Sequence, residues 1–311
     1  MPCRLSIIVC THNPSPPVFQ RCIDSIQSAL EPLEDAELIV VDNDSASPVQ
    51  GIPLSASKPG FEPKYIKEDK RGLTPARLRG IRESKGDLLV FIDDDNFVRR
   101  DFFVQGLRIA EKHPFIGAFS GQVHLLFEKP PPDWSHPYHG LLVRRVFDTD
   151  RWSNLPHLDA TMPCGAGLFV RRQAANHYSY LHDSKRREIQ LDRTGDSLLS
   201  GGDNDLAACA CDVGMGVGLF KELQLEHYIP ESRLQKTYLL RLTRGIYCSS
   251  VVFKALRGDM PEAYSLRRKL LDRIRLLLMG PMKSAFFREQ IRGEEEGRML
   301  VGRLLNEREG R

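Results

Sequence analysis

Three consecutive carboxylates, Asp93, Asp94 and Asp95, directly follow a run of apolar residues. Charge without a partner is costly to bury, so a cation or solvent must satisfy this run. On an extended strand, side chains two positions apart point the same way, which predicts that Asp93 and Asp95 converge on one ligand while Asp94 points elsewhere. Such oxygen ligands are typical of Mg²⁺ or Mn²⁺ sites that water and a diphosphate complete. An acidic loop in solvent is the alternative, and the position after a buried strand favours the metal site.

The first hundred residues have the pattern of an α/β domain. Strands are predicted at 4–10, 37–41, 64–67 and 87–92, with helices that begin near Pro16 and Thr74. Continuous Val, Ile and Leu runs that alternate with single helices indicate a mostly parallel central sheet with flanking helices. Ligands of such sheets bind beyond the carboxyl ends of the strands. Three polar clusters are predicted to face this cleft: Thr11–Asn13, Asp42–Ser45 and Asp93–Asn96.

The later residues have a mixed pattern, with a helix predicted near 101–112 and strands at 115–123 and 164–170. From about Ser232 the sequence becomes helical and basic. Residues 233–311 contain 18 Lys or Arg against 9 Asp or Glu, a net charge of +9.

We therefore expect a domain at residues 1–230 and a basic helical C-terminal extension at 231–311. Within the domain, 1–100 is predicted to be the nucleotide-binding half and 101–230 the acceptor half.

A second pair of carboxylates, Asp203 and Asp205, follows two glycines at the start of a predicted helix. Asp203 is the candidate general base for an acceptor hydroxyl. A helix N-cap is the alternative role, and the local sequence leaves the two open.

Two ring-bearing side chains are further candidates. His227 is predicted to lie where a strand ends, and its neutral imidazole is suited to bind a metal. Trp134, in a Pro-rich loop, is suited to stack on a sugar or to cover the core. For both residues the structural role is the commoner one.

Six motifs, taken in order, resemble those of the family 2 glycosyltransferases, inverting enzymes of the GT-A fold. They are Ser6–Asn13, Ile39–Ser45, Arg71–Gly80, Phe91–Asp95, Cys164–Arg172 and Gly201–Leu206. The resemblance spans about residues 4–230. It implies transfer of a sugar from a nucleotide-diphosphate sugar to a hydroxyl of a saccharide or lipid-linked acceptor, with inversion, in surface polysaccharide or glycoconjugate synthesis.

The resemblance also implies roles for individual residues. The nucleotide-sugar would be bound by Thr11, Asn13, Asp42, Arg77, Asp93 and Asp94, with Asp42 at the nucleobase and Asp93 at the ribose. Asp95, Asp93 and His227 would hold the metal, and Asp203 would be the base. The acceptor side would comprise Gly165, Ala166, Gly167, Asp205 and Trp134.

The sequence departs from the family pattern at His12, Leu78 and Gly202, where Tyr, Asn and Glu are usual. Gly202 removes an acidic neighbour of Asp203, which keeps open a catalytically silent sugar-nucleotide binding module. A metal-dependent nucleotidyltransferase is the other alternative. Such an enzyme favours a Gly-rich, cationic phosphate loop after the first strand, whereas this chain has Thr11–Pro14 there.

The composition bears on compartment and partners. The seven cysteines contain no C-x-x-C pair, which argues against a disulfide framework and a zinc site. With no signal segment and no apolar run of membrane-spanning length, a cytoplasmic protein is predicted. The basic tail is suited to peripheral contact with the inner face of the membrane, to a homo-oligomer interface or to a lid, although a solvated helix face is the commoner case. Its few aromatic residues argue against nucleic acid.

Overall fold

A computed structural model describes residues 5–51, 63–156, 159–187, 191 and 199–309. The strands are β1 Leu5–Thr11, β2 Ala36–Asp42, β3 Lys64–Lys67, β4 Leu88–Asp93, β5 Asn96–Val98, β6 Ile116–Phe127, β7 Arg151–Ser153, β8 Leu168–Arg171 and β9 Gly216–Ile229. The helices are α1 Pro16–Leu30, α2 Leu73–Glu83, α3 Phe102–Lys112, α4 Arg172–Asp183, α5 Gly202–Asp212, α6 Lys236–Leu256, α7 Leu266–Leu278 and α8 Pro281–Glu309. Short 3₁₀ helices lie at Val49–Gly51, Asp133–Leu142 and Glu231–Leu234.

The strands form one sheet in the order β3-β2-β1-β4-β8-β6-β9-β5, and β7 pairs with β9. Strands β3, β2, β1 and β4 are parallel, and β8 runs antiparallel to β4. Strand β6 is antiparallel to β8 and parallel to β9, so six strands share one direction. The predicted α/β class with a mostly parallel sheet is confirmed.

Both faces of the parallel strands are covered by helices. Ile7 and Val9 of β1 belong to the core that Phe19 and Ile23 of α1 complete. On the other face Gly80 of α2 lies against Ile8, and a Cβ there would come within 2.5 Å of the isoleucine side chain. The strand register places Thr11 beside Asp42 and Cys10 beside Asp93. The polar residues that follow these strands therefore gather at one edge of the sheet.

Several local predictions were wrong. Extended backbone was predicted through Asp95, but β4 ends at Asp93 and residues 94–95 form a turn into β5. The strand predicted at 164–170 begins only at Leu168, because Gly167 turns the chain with a φ of +68°. His227 was predicted at a strand end, but β9 continues to Ile229 through pairing with β6. Arg4, predicted in the first strand, lies outside the described residues.

The chain divides into two compact units. One contains the described residues of 1–190 and 202–231, and the other those of 191–201 and 232–311. In the second unit the backbone N–H of Ser200 donates to the Ser249 hydroxyl of α6 at 2.8 Å. None of the helices in the described ranges combines the length and apolar content needed to cross a membrane.

Candidate active site

The pairing of β5 with β9 brings His227 to the carboxylate run. In this antiparallel register His227 lies opposite Asn96, the residue that follows Asp95. The backbone N–H of Tyr228 donates to the Asp95 carbonyl at 2.9 Å, which fixes the turn against β9. As a result His227 Nε2 lies 3.5 Å from Asp95 Oδ2, and both side chains are largely buried.

The other nitrogen of His227 determines what faces Asp95. His227 Nδ1 lies 3.1 Å from the Leu142 carbonyl, which can only accept a hydrogen bond. Nδ1 therefore carries a hydrogen, and Nε2 is the nitrogen that faces the carboxylate, with its lone pair whenever the ring is neutral. Two acceptors facing each other in a largely buried site favour a cation or a proton between them.

Asp93 lies within the electrostatic reach of the other site residues. Burial raises the pKa of the Asp93 carboxyl, and the charge of Asp95 raises it further, whereas Arg77 and His227 oppose that shift. Asp203 also raises this pKa. The structure thus brings together three carboxylates, one buried guanidinium and one imidazole, although they come from four separate segments of the chain.

Asp95 and His227 fit a divalent metal. A metal-bound histidine commonly donates its second N–H to a backbone carbonyl, as His227 does to Leu142. Among the residues that the structure describes, no group of three or more His, Cys, Asp or Glu is arranged to hold a metal ion. Mg²⁺ usually keeps several waters and binds one or two carboxylates together with substrate phosphates. The residues present therefore fit a metal whose shell a diphosphate completes.

The loops that follow β1 and β2 lie beside the carboxylates and are joined by hydrogen bonds. Asp42 is buried, and its two oxygens accept from the backbone N–H groups of Ser45 at 3.0 Å and Val49 at 3.2 Å. Asn13, in a left-handed conformation with φ of 50°, accepts from the backbone N–H of Ala46 at 2.8 Å. Both side chains therefore shape the backbone of residues 42–49.

The Thr11 hydroxyl donates to Asp94, and this contact links the end of β1 to the carboxylate turn. Asp94 is thus held by a residue of another strand, and that it faces a different ligand from Asp93 and Asp95 stays a prediction.

Asn43, a member of the polar cluster predicted to face the cleft, is buried and has a structural role that the sequence did not predict. Its side-chain amide donates to the carbonyls of Glu68 at 3.1 Å and Lys70 at 2.8 Å. Its carbonyl oxygen accepts from the backbone N–H of Gly72 at 2.8 Å, at the start of α2. One side chain therefore joins the end of β2, the loop after β3 and the helix that carries Arg77. The signal in the sequence was its place directly after a strand.

A surface ion pair includes the residue next to Asn43 in the sequence. Arg71 Nε donates to Asp44 Oδ2 at 2.7 Å, and this bond lowers the pKa of the Asp44 carboxyl. Since both side chains are substantially exposed, the pair adds little stability.

Asp203 lies against the loop that precedes β8. Its Oδ2 accepts from the backbone N–H of Gly165 at 2.6 Å, and its Oδ1 from that of Asn204 at 2.9 Å. A Cβ on Gly165 would lie 3.1 Å from both Arg77 Nη2 and Asp203 Oδ2. The absence of a side chain at Gly165 therefore leaves room for both the guanidinium and the carboxylate beside this loop.

The helix containing Asp203 begins at Gly202, so Asp203 lies within its first turn and not at the N-cap position. Asp205 is placed differently. It is 3% exposed, and its Oδ2 accepts from Arg187 Nε at 3.1 Å. No motif in the sequence indicated Arg187.

Two of the remaining acceptor-side candidates, Ala166 and Gly167, lie in the turn before β8, and the third, Trp134, lies in a separate element. Ala166 is buried, and a Cβ on Gly167 would approach Leu225 and Phe102 to 2.7 Å. Trp134 is half-buried in the 3₁₀ helix Asp133–Leu142. The last residue of this helix, Leu142, accepts the hydrogen bond from His227.

The sequence model of the family glycosyl transferase family 2 matches residues 6–178, more than half of the chain. The chain belongs to glycosyl transferase family 2. The matched stretch includes the carboxylate run and the Gly165–Gly167 turn, whereas Asp203 and His227 lie beyond it.

Family 2 membership agrees with two curated relatives from Bacillus subtilis (strain 168). EpsH is 27% identical over 106 residues, which are 34% of this chain and 30% of EpsH. The uncharacterized glycosyltransferase EpsJ is 29% identical over 109 residues, 35% of this chain and 31% of EpsJ. The matched part of this chain thus spans about a third of each relative.

A solved structure has the same fold. The mannosyltransferase PcManGT from Pyrobaculum calidifontis, in complex with GDP-Man and Mn²⁺, superposes with a TM-score of 0.58. The two sequences are 17% identical, and the match covers 96% of this chain and 87% of the other. The predicted GT-A architecture of this family 2 chain is confirmed.

Proposed function

We propose that this chain transfers a sugar from a nucleotide-diphosphate sugar to an acceptor hydroxyl with inversion, in the synthesis of a surface polysaccharide or glycoconjugate. The observation that carries the proposal is the arrangement of Asp95 and His227 beside Asp93, with Arg77 and Asp203 both close to Gly165. It offers a position for a diphosphate and, beside it, a carboxylate for the acceptor.

The donor would bind along the ends of the parallel strands. Thr11, Asn13 and Asp42 shape the bed for the nucleoside, and Asp94 is held by Thr11. Arg77 is the buried cation suited to the nucleotide's phosphates, because a guanidinium presents paired N–H donors to phosphate oxygens. Asp93 is proposed to contact the ribose.

Asp95 and His227, with Asp93 beside them, would hold Mg²⁺ or Mn²⁺. When bound, the metal supplies Lewis acidity that stabilises negative charge on the departing nucleoside diphosphate. His227 is held ready for this role, since the Leu142 carbonyl keeps its Nε2 lone pair directed at the site. PcManGT, which has the same fold, binds GDP-Man and Mn²⁺, and this supports the class of donor and metal.

Asp203 would take the proton of the acceptor hydroxyl. The N–H groups of Gly165 and Asn204 hold its carboxylate in one orientation. Gly165, Ala166, Gly167 and Trp134 would line the acceptor side. Asp205 would support that side from behind through its pair with Arg187.

We also propose that residues 1–230 form the catalytic domain, with its nucleotide-binding half at 1–100 and its acceptor half at 101–230. Residues 231–311 would be an extension with a separate task.

The deciding experiment is a panel of UDP-, GDP- and dTDP-sugars tested for thermal stabilisation of the full chain with and without Mn²⁺. One nucleotide class should raise the melting temperature, and more so with Mn²⁺. The same donor should then be hydrolysed slowly without acceptor. Binding without any hydrolysis or transfer would favour the catalytically silent module, and no response to any donor would overturn the proposal.

A further inference from the structure

Helix α7 turns its apolar side chains to solvent. Six of them are between 45% and 85% exposed: Leu266, Leu270, Leu271, Ile274, Leu277 and Leu278. The buried residue of this helix is a carboxylate, Asp272, at 4% exposure. An amphipathic surface helix usually packs its apolar face against the core, whereas on α7 the apolar face and the cations are both exposed.

The exposed side chains share one face. Leu266, Leu270, Ile274 and Leu277 follow one another at spacings of four, four and three residues, which is the repeat of a single helical stripe. We call these four residues the α7 stripe. Leu271 and Leu278 widen it on one side. An apolar face of this extent on a surface helix marks an interaction site.

Contacts within the second unit hold the helix in this orientation. The Tyr264 hydroxyl donates to Asp272 Oδ2 at 2.5 Å, and Arg275 Nη1 lies 3.1 Å from Asp272 Oδ1. Arg268 Nη2 lies 2.5 Å from Glu294 Oε2 of α8. The charged side of α7 is therefore anchored to its neighbours, and the α7 stripe stays outward.

The charge of the helix identifies the partner. Residues 266–278 contain the five cations Arg267, Arg268, Lys269, Arg273 and Arg275, against the single carboxylate Asp272, which is buried and paired. Pairing this face with a second copy of the chain would bring ten cations together. An anionic lipid surface instead receives both the leucines and the cations, which is how basic amphipathic helices lie in a membrane interface.

We propose that α7 lies in the plane of an anionic membrane surface, with the α7 stripe inserted among the acyl chains and its cations at the headgroups. The proposal does not rest on the enzymatic function, because lipid binding is measured without donor, acceptor or metal. Contact with the membrane would then be partly hydrophobic and would survive salt that removes a purely electrostatic attachment.

The test is co-sedimentation of the full chain with vesicles of phosphatidylglycerol and phosphatidylcholine, compared with phosphatidylcholine alone. The wild type should bind the anionic vesicles at least about tenfold more tightly and retain part of this binding at high salt. Leu270→Asn with Leu277→Asn should weaken binding about a hundredfold, because two leucines leave the acyl region. Arg267→Gln with Arg273→Gln should weaken it about thirtyfold and reduce the preference for anionic lipid, to which three cations of α7 still contribute.

The matched control is Met299→Asn, at an apolar residue of α8 that is 56% exposed and lies outside the α7 stripe. It should bind vesicles as the wild type does, within about twofold. Since all the substituted side chains are exposed, the variants should unfold at wild-type temperature. Equal binding by the leucine variant, or no binding to anionic vesicles at low salt, overturns the proposal. So does a dimer in solution that the leucine variant dissociates.

Discussion

His227 Nε2 faces Asp95 Oδ2 across 3.5 Å, while the Leu142 carbonyl holds the hydrogen on His227 Nδ1. The pair therefore presents a nitrogen lone pair and a carboxylate to one point. A divalent cation satisfies both groups, whereas without one a neutral imidazole would place its acceptor nitrogen against a carboxylate. Metal binding should accordingly depend on both residues.

Asp95→Asn and His227→Gln should each abolish most of the response to Mn²⁺. Loss of a direct metal ligand removes a charge or a lone pair that the amide does not replace. Isothermal titration of Mn²⁺ in the presence of donor measures this directly, and turnover should fall to the level seen with excess chelator. His136→Gln, at an exposed histidine of the 3₁₀ helix, is the control and should titrate normally. Full turnover of the wild type in chelator would contradict the metal assignment.

Asp203→Asn and Asp205→Asn should damage different properties. Without its base, Asp203→Asn should lose about 10²–10⁴-fold in transfer rate while it keeps donor affinity. Its stability should also fall by about 1–3 kcal/mol, because both oxygens of Asp203 accept backbone N–H groups and the amide can satisfy only one of them.

Asp205→Asn should instead cost about 3–5 kcal/mol of stability, because it leaves the largely buried Arg187 without its carboxylate. Its transfer rate per folded molecule should stay near wild type. Rates and denaturant unfolding curves measured on the same preparations separate the two effects. If Asp205→Asn loses the rate and Asp203→Asn does not, the base has been assigned to the wrong carboxylate.

The sheet and the strand ends were predictable because they depend on local patterns. Apolar runs such as residues 5–11 and 88–92 identify buried strands, and the parallel register then places Asp42 beside Thr11. The contact between Asp95 and His227 was not predictable from spacing. It depends on antiparallel pairing of β5 with a strand more than a hundred residues later.

Hydrogen bonds between side chains and distant loops were likewise not predictable from the sequence. The bonds of Asn43 reach three separate backbone groups, and Arg187 meets Asp205 through folding of a segment that carries no motif. Residues 94–95 were wrongly predicted as strand, because the carboxylate run was treated as a continuation of the extended backbone that precedes it. Tertiary pairing with Tyr228, and not local preference, fixes that turn.

Asn43→Ala should destabilise the first unit by about 3 kcal/mol, since two carbonyls and one N–H lose their buried partner. Donor affinity should fall as well, because Asn43 positions the start of the helix that carries Arg77. Asn43→Asp is the informative companion: it keeps an acceptor for Gly72 but sets a carboxylate against the two carbonyls. It should be at least as unstable as Asn43→Ala in thermal unfolding, and a stable Asn43→Asp would contradict the hub role.

Gly165→Ala should lower the transfer rate by about tenfold to a hundredfold with little effect on stability. The new methyl group would lie 3.1 Å from both the Arg77 guanidinium and the Asp203 carboxylate, so these groups must shift by a few tenths of an ångström. Small displacements of reacting groups are costly to rate. Gly140→Ala is the matched control, because no heavy atom lies within 4 Å of the added Cβ. Equal kinetics of the two variants would show that the positions of Arg77 and Asp203 beside Gly165 do not affect catalysis.

Tyr264→Phe tests the contact that holds α7 in place. Burial and the hydrogen bond to Asp272 raise the pKa of Tyr264 to about 12. Because the unfolded chain has a tyrosine pKa of about 10, the stability that this hydroxyl contributes is fully present below pH 10 and is lost as the pH rises through 12. Tyr264→Phe should therefore cost about 1.5–3 kcal/mol in denaturant unfolding near neutral pH, as for a hydrogen bond to a charged group. The difference between wild type and variant should shrink at about pH 11, where the unfolded chain already ionises this tyrosine. A difference that stays constant across this range would mean that ring packing, and not the bond to Asp272, orients the helix.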